Sequence, residues 1–144
     1  MRYLLLTFAL VVSGAAGHAE NLPYLPNHVV VTPRDNRDDA LGEVNAKRAT
    51  RGLRPYIRDE GLTQAARAAA RYRADRLMFG HVADTNLGDF RFLPPGVKAA
   101  SAGCAAYPAH MGWLSCDIWE ANTYAGAAWA LGRDGKRYMH IFVR

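Results

Sequence analysis

The residues of this chain that could do chemistry are five histidines, a scatter of acids and two cysteines, and they are far apart in sequence. His81 has the best claim. It follows Gly80 at the end of a helical pattern, so the chain presents an imidazole just past a helix terminus. A firm metal ligand needs at least two further ligands and a partner for its second ring nitrogen. Glu43, His110, Asp117, Glu120 and His140 are the distant candidates, and none has local ligand spacing such as H-x-x-x-H. The bland alternative for His81 is a cap on the helix C-terminus, where a positive imidazole suits the dipole. His140 falls on an expected central strand and reads as a satisfied core histidine. Cys104 and Cys116 read as one disulfide if the chain is exported, and such a loop contributes roughly 3 kcal/mol by the chain-entropy argument. A catalytic thiol beside His110 is the alternative, without a motif to support it. Trp113, Trp119 and Trp129 read as core or loop anchors, with Trp113 the one that, if exposed, would stack on a sugar or lipid.

Export is the first constraint on where this chemistry would operate. Arg2 precedes an apolar run over residues 3–12, too short to span a bilayer, and small residues follow to a cleavage site after Ala19, with Gly17 as runner-up. Residues 1–19 are therefore expected to be a signal peptide, residues 20–37 an extended Pro-containing segment, and residues 38–144 one domain, secreted or periplasmic. No later segment approaches transmembrane length. The net charge of +5 comes from arginines spread along helices and loops rather than from a block. Nucleic acid is not an expected partner, since no recognised motif accompanies the charge. Electrostatic contact with an anionic envelope is a possible partner mode.

The elements that must position His81 are legible in the pattern. A first helix starts at Asp38 or Asp39, buries Leu41, Val44 and Ala49 with Arg48 beside them, and stops at Gly52. Pro55 keeps the chain extended, and Leu53 and Tyr56 pack inward across the break. A second helix spans about 59–78, with Leu62, Ala65, Ala66, Ala69, Tyr72 and Leu77 on its apolar stripe; Arg67, Arg71, Arg73 and Arg76 lie mainly on the other side. Gly80 is the expected stop. Its alanines let the backbone approach a neighbouring layer closely. Residues 82–115 are the least regular, with Phe90, Phe92 and Leu93 as anchors and a short helix or strand within 97–106. Residues 124–131 and 137–143 form a hairpin about Asp134-Gly135. Tyr138, His140 and Phe142 alternate with Met139, Ile141 and Val143, and both sets are largely apolar, so the strand is expected to be covered on both faces.

The order EVNAKRATRGLRP, a D-x-x-L-x-x-A-x-x-x-A helix, Gly-His and a late aromatic hairpin resembles the CAP superfamily, the domain of cysteine-rich secretory proteins, antigen 5 and pathogenesis-related-1 proteins, in its bacterial secreted (SCP-like) form. Val44, Asn45, Arg48, Gly52, Leu53, Pro55, Leu62, Ala65, Ala69 and His81 carry the likeness. It implies an α+β fold, an α-β-α sandwich with a central antiparallel sheet and a C-terminal β-hairpin. It also implies a cleft with two His and two Glu that holds a divalent metal such as zinc. His81 stands where the first of those His would be, while Cys104 occupies the place expected for a cleft Glu; His110 and Glu120 are the remaining cleft candidates. The expected function is a non-enzymatic extracellular binding or interaction module with an eroded metal cleft, its partner a lipid, cell-wall material or a protein. A metal-assisted extracytoplasmic hydrolase using His81 and a structural cell-envelope protein are the alternatives.

Overall fold

The computed structural model describes residues 39–144, apart from the side chains of Cys116 and Asp117; the expected signal peptide and extended segment lie outside the described residues. Helix α1 (Ala40–Ala49) is capped by Asp39, whose carboxylate accepts from the Gly42 amide at 3.2 Å. It buries Ala40, Leu41, Val44 and Arg48. Ala49 is exposed, contrary to expectation, because the last turn has already left the apolar stripe. Gly52 follows in a left-handed conformation (φ +66°), and the Leu53 amide donates back to Arg48 O.

The break between helices is held by side chains rather than by its own turn. The Asn45 side chain bonds both the amide and the carbonyl of Tyr56, at 2.8 and 3.0 Å. Arg48 donates to Arg54 O, Ile118 O and Glu120 O. The chain then forms the two-residue strand β1 (Ile57–Arg58), and Asp59 caps helix α2 (Glu60–Arg76) by accepting from Leu62 N at 2.9 Å. That hydrogen bond and the Arg144 guanidinium hold the Asp59 carboxyl below its usual pKa range.

The sheet has the order β1-β3-β4-β2, with β2 at Ser101–Pro108, β3 at Tyr124–Leu131 and β4 at Lys136–Val143. It is mixed, not wholly antiparallel: β1 runs parallel to β3, with Ile57 beside Tyr124 and Arg58 beside Ala125. The break delivers β1 to that edge in the same direction as β3, where Ile57 N donates to Thr123 O and Asp59 N to Ala125 O. β3 and β4 form the expected hairpin, turning through Gly135 at φ +74°. The segment expected as a short helix or strand within 97–106 is largely β2, an edge strand.

β4 is central and buried on both faces. Met139, Ile141 and Val143 share a cluster with Leu41, Val44, Tyr56, Trp113 and Ile118. Phe142 packs with Leu62, Ala65, Ala66 and Ala69 of α2, and Tyr138 with Ala74. Trp113 is thus a core residue, not an exposed platform. Leu62 and Phe142 are fully buried, and each burial is worth about 1.5–3 kcal/mol. Among the described residues no helix is long and apolar enough to cross a membrane.

The alanine stripe brings the start of α2 into backbone contact with β3. A Cβ on Gly126 would sit 2.0 Å from Thr63 N and 2.1 Å from the Leu62 carbonyl carbon. Gly126→Ala must separate the helix from the sheet, so chemical denaturation should show a stability loss of about 3 kcal/mol or more. An unchanged midpoint would mean that the two layers are not in contact there.

Candidate functional site

Helix α2 does not run to Gly80. It ends after Arg76, where Leu77 takes the left-handed conformation (φ +52°) and the Met78 amide donates to Arg73 O. A leucine there costs about 1–3 kcal/mol of backbone strain. It is half-buried and packs beside Tyr138, and that packing offsets part of the cost. His81 lies beyond that stop, and its side chain is engaged by Asp89.

Arg73 fixes the loop that carries His81. Expected on the solvent side of α2, it is instead fully buried. Its guanidinium donates to Phe79 O (2.5 Å), Gly80 O (2.9 Å), Met139 O (2.7 Å) and Ala105 O (3.4 Å). Desolvation lowers its pKa, opposed by the negative charge that Cys104 and Asp89 can carry nearby. One side chain thus ties the loop to β4 and β2.

The next link is Asp89, in the 3-10 turn Gly88–Phe92. Only 4 % exposed, its carboxylate accepts the Val82 amide through Oδ1 at 2.9 Å and contacts His81 Nδ1 through Oδ2. An ionised carboxylate only accepts, so Nδ1 of His81 carries the proton and a neutral ring leaves Nε2 as an acceptor. The His81 side chain is 52 % exposed, at a pocket of about 540 Å³ lined also by Thr85, Asn86, Leu87, Phe90 and Ser101.

His140 approaches the same carboxylate from the sheet, with Nε2 at 4.0 Å from Asp89 Oδ2. It is buried as expected but not satisfied: neither ring nitrogen has a hydrogen-bond partner among the described residues. Its ring lies 4.7 Å from that of Phe142, and Cys104 is its partner across the ladder. Burial pushes its pKa down to about 3, with the Asp89 charge acting in the opposite sense and Arg73 and His81 adding to the depression.

The other expected site residues lie elsewhere. His110 is exposed on the short 3-10 turn Ala109–Met111, and Glu120 is exposed after the turn Cys116–Trp119; neither lines the His81 pocket. Glu120 contributes its backbone carbonyl, which accepts from Arg48 and from the Tyr56 hydroxyl. Glu43 pairs with Arg137 at 2.5 Å. Asp89 supplies the partner that a ligating His81 would need for its second ring nitrogen, but among the described residues no three His, Cys, Asp or Glu side chains are placed to hold an ion. Asp89 and Arg73 are the residues that sequence reasoning missed. The signal for Asp89 is an acid set among Phe90, Phe92 and Leu93, read as anchors, where its burial demands a partner.

Comparison of the chain with protein-family models, with curated proteins and with solved structures finds no match.

The buried His140 makes stability pH-dependent with a definite sign. Its folded pKa of about 3 lies below the unfolded value of about 6.5, so the unfolded chain binds the extra proton as pH falls between those values. This stability is fully present above pH 6.5, declines on acidification, and is gone below about pH 3, a total of roughly 4–5 kcal/mol at 1.36 kcal/mol per unit. Urea unfolding of His140→Leu should show a markedly flatter dependence between pH 7 and pH 4 than the parent chain. Equal slopes would remove His140 from this role.

Proposed function

We propose that this chain is an exported, non-enzymatic binding module of CAP-like architecture, its ligand seated in the pocket beside His81. The observation that carries the reading is the pairing of a half-exposed His81 with the buried Asp89 at the mouth of that pocket. A buried carboxylate that fixes one imidazole tautomer, on a loop locked by Arg73, is a preorganised polar group in a concave site. The volume lies within the range usual for small-ligand pockets. CAP-like architecture is supported by helices on opposite faces of the sheet and by the closing hairpin; the parallel β1 is a departure from the all-antiparallel expectation. A metal-assisted hydrolase needs three fixed ligands and a position for water, and among the described residues no such group of ligands is assembled.

The proposed Cys104–Cys116 bridge belongs to the same reading. The turn Cys116–Trp119 packs beside β2, but through Ile118 on the α1 face of the sheet. Cys104 pairs across the ladder with His140 on the α2 face, so the bridge would require β2 to turn Cys104 towards the other side. Intact mass of the exported protein, with and without reductant, should show a pair of hydrogens gained on reduction and a new N-terminus at Glu20. An unchanged mass would exclude the bridge, and retention of residues 1–19 would exclude export by cleavage.

The pocket itself is tested by filling it. Ala100 is exposed and lines it, so Ala100→Trp should occlude the seat while leaving the core intact. In a thermal-shift series with neutral saccharides, fatty acids and sterols, at least one ligand should raise the midpoint of the parent chain and have no effect on the variant. Equal shifts in both proteins would place binding elsewhere.

A further inference from the structure

The lining of the His81 pocket selects among ligand chemistries, and the inference here rests on that pocket being the ligand seat. No lysine or arginine lines it. Its one acid, Asp89, is buried and already engaged by Val82 N and His81. The one group that could offer a phosphate or carboxylate a counter-charge is His81, whose charge when protonated is already matched by Asp89, and a cation would find no open carboxylate. The groups that remain are Thr85, Asn86, Ser101 and the outer nitrogen of His81. Among the described residues no hydrogen bond engages the Thr85, Asn86 or Ser101 side chains. Hydroxyls both donate and accept, and a carboxamide does each with a different atom. An acyl chain or a sterol body laid over this set would strip these groups of water without replacing it, at about 1–3 kcal/mol for each group left unpaired. A neutral ligand bearing several hydroxyls would replace that water bond for bond.

The apolar half of the lining fits the same ligand. Phe90 is 40 % exposed and Leu87 64 % exposed, side by side on the turn that Asp89 anchors. The Phe90 ring is steadied from beneath by Phe142, at 6.2 Å between centroids and a tilt of 58°. An exposed aromatic face held by the core, beside a row of uncommitted hydroxyl and amide groups, is a surface for a ring with one apolar face and a polar rim. A pyranose has both. We propose that the pocket binds a neutral saccharide, its C–H face on Phe90 and its hydroxyls on His81 Nε2, Asn86 and Ser101. No bond is made or broken in this role; His81 accepts a hydrogen bond and Asp89 keeps its tautomer.

The test is an amide-shift NMR titration of the intact chain with N,N′,N″-triacetylchitotriose and with maltotriose, and separately with myristate as a lipid probe. A saccharide should shift Asn86, Phe90 and Ser101. Phe90→Ala should weaken binding about tenfold, the loss of a single stacking contact. Phe90→Tyr, which keeps the ring, should bind as the parent does and guards against a fold defect in the alanine variant. Shifts at the pocket with myristate and none with either saccharide overturn the saccharide assignment and leave the pocket as the ligand seat. No shift at the pocket with any probe overturns both. Saccharide shifts elsewhere, or shifts indifferent to Phe90→Ala, overturn the assignment as well.

Discussion

The site depends on one buried cation. Arg73 has left water entirely, and four carbonyl oxygens from three segments replace its hydration shell. Hydrogen bonds to a charged group are each worth about 1.5–3 kcal/mol, and removing one partner of a buried charge costs about 3–5 kcal/mol. That asymmetry gives the interaction its structural weight. The loop through Phe79 and Gly80 is largely exposed, and its packing on the sheet is the contact of the Phe79 ring with Tyr138 and Lys136. Its carbonyls add to that contact the solvation that Arg73 requires. Arg48 plays the corresponding part on the opposite face, joining the 53–55 break to the segment 118–120. Each helix therefore sends one arginine inward to fix the loop that follows it.

This arrangement explains what could be read from the residues and what could not. The hairpin was legible because Asp134-Gly135 and the alternation of Tyr138, His140 and Phe142 with Met139, Ile141 and Val143 are local signals. α2 was legible because its alanines and Leu62 recur at helical spacing. The burial of Arg73 was not, because arginine at the edge of an apolar stripe is ordinarily solvated; only the carbonyls of Phe79, Gly80 and Met139, distant in sequence or outside the helix, make it otherwise. Leu77 as a helix stop was hidden by the better conformational candidate three residues later. The parallel edge β1 carries two residues, too few for any periodic signal.

The residues that carry the family likeness also turn out to do mostly structural work. Val44 is core, Asn45 clamps the backbone of Tyr56, Arg48 solvates itself with three carbonyls, and Ala65 and Ala69 allow α2 to lie close on the sheet. A motif made of such residues speaks to architecture first. The chemistry of the pocket rests instead on Asp89, Asn86, Phe90 and Ser101, from the stretch with least pattern, where side chains answer to one another across space rather than along the chain. Of the likeness, only His81 belongs to both sets.

Asp89 then decides what kind of site this is. Its two oxygens are committed to Val82 N and His81 Nδ1, and both contacts face the pocket wall. His140, at 4.0 Å, is outside hydrogen-bond range and is left neutral with two unpaired nitrogens in the core. A carboxylate committed to the outer imidazole fixes that ring's orientation and leaves Nε2 as the group it offers at the surface, while the unpaired His140 puts a penalty in the core that grows on acidification.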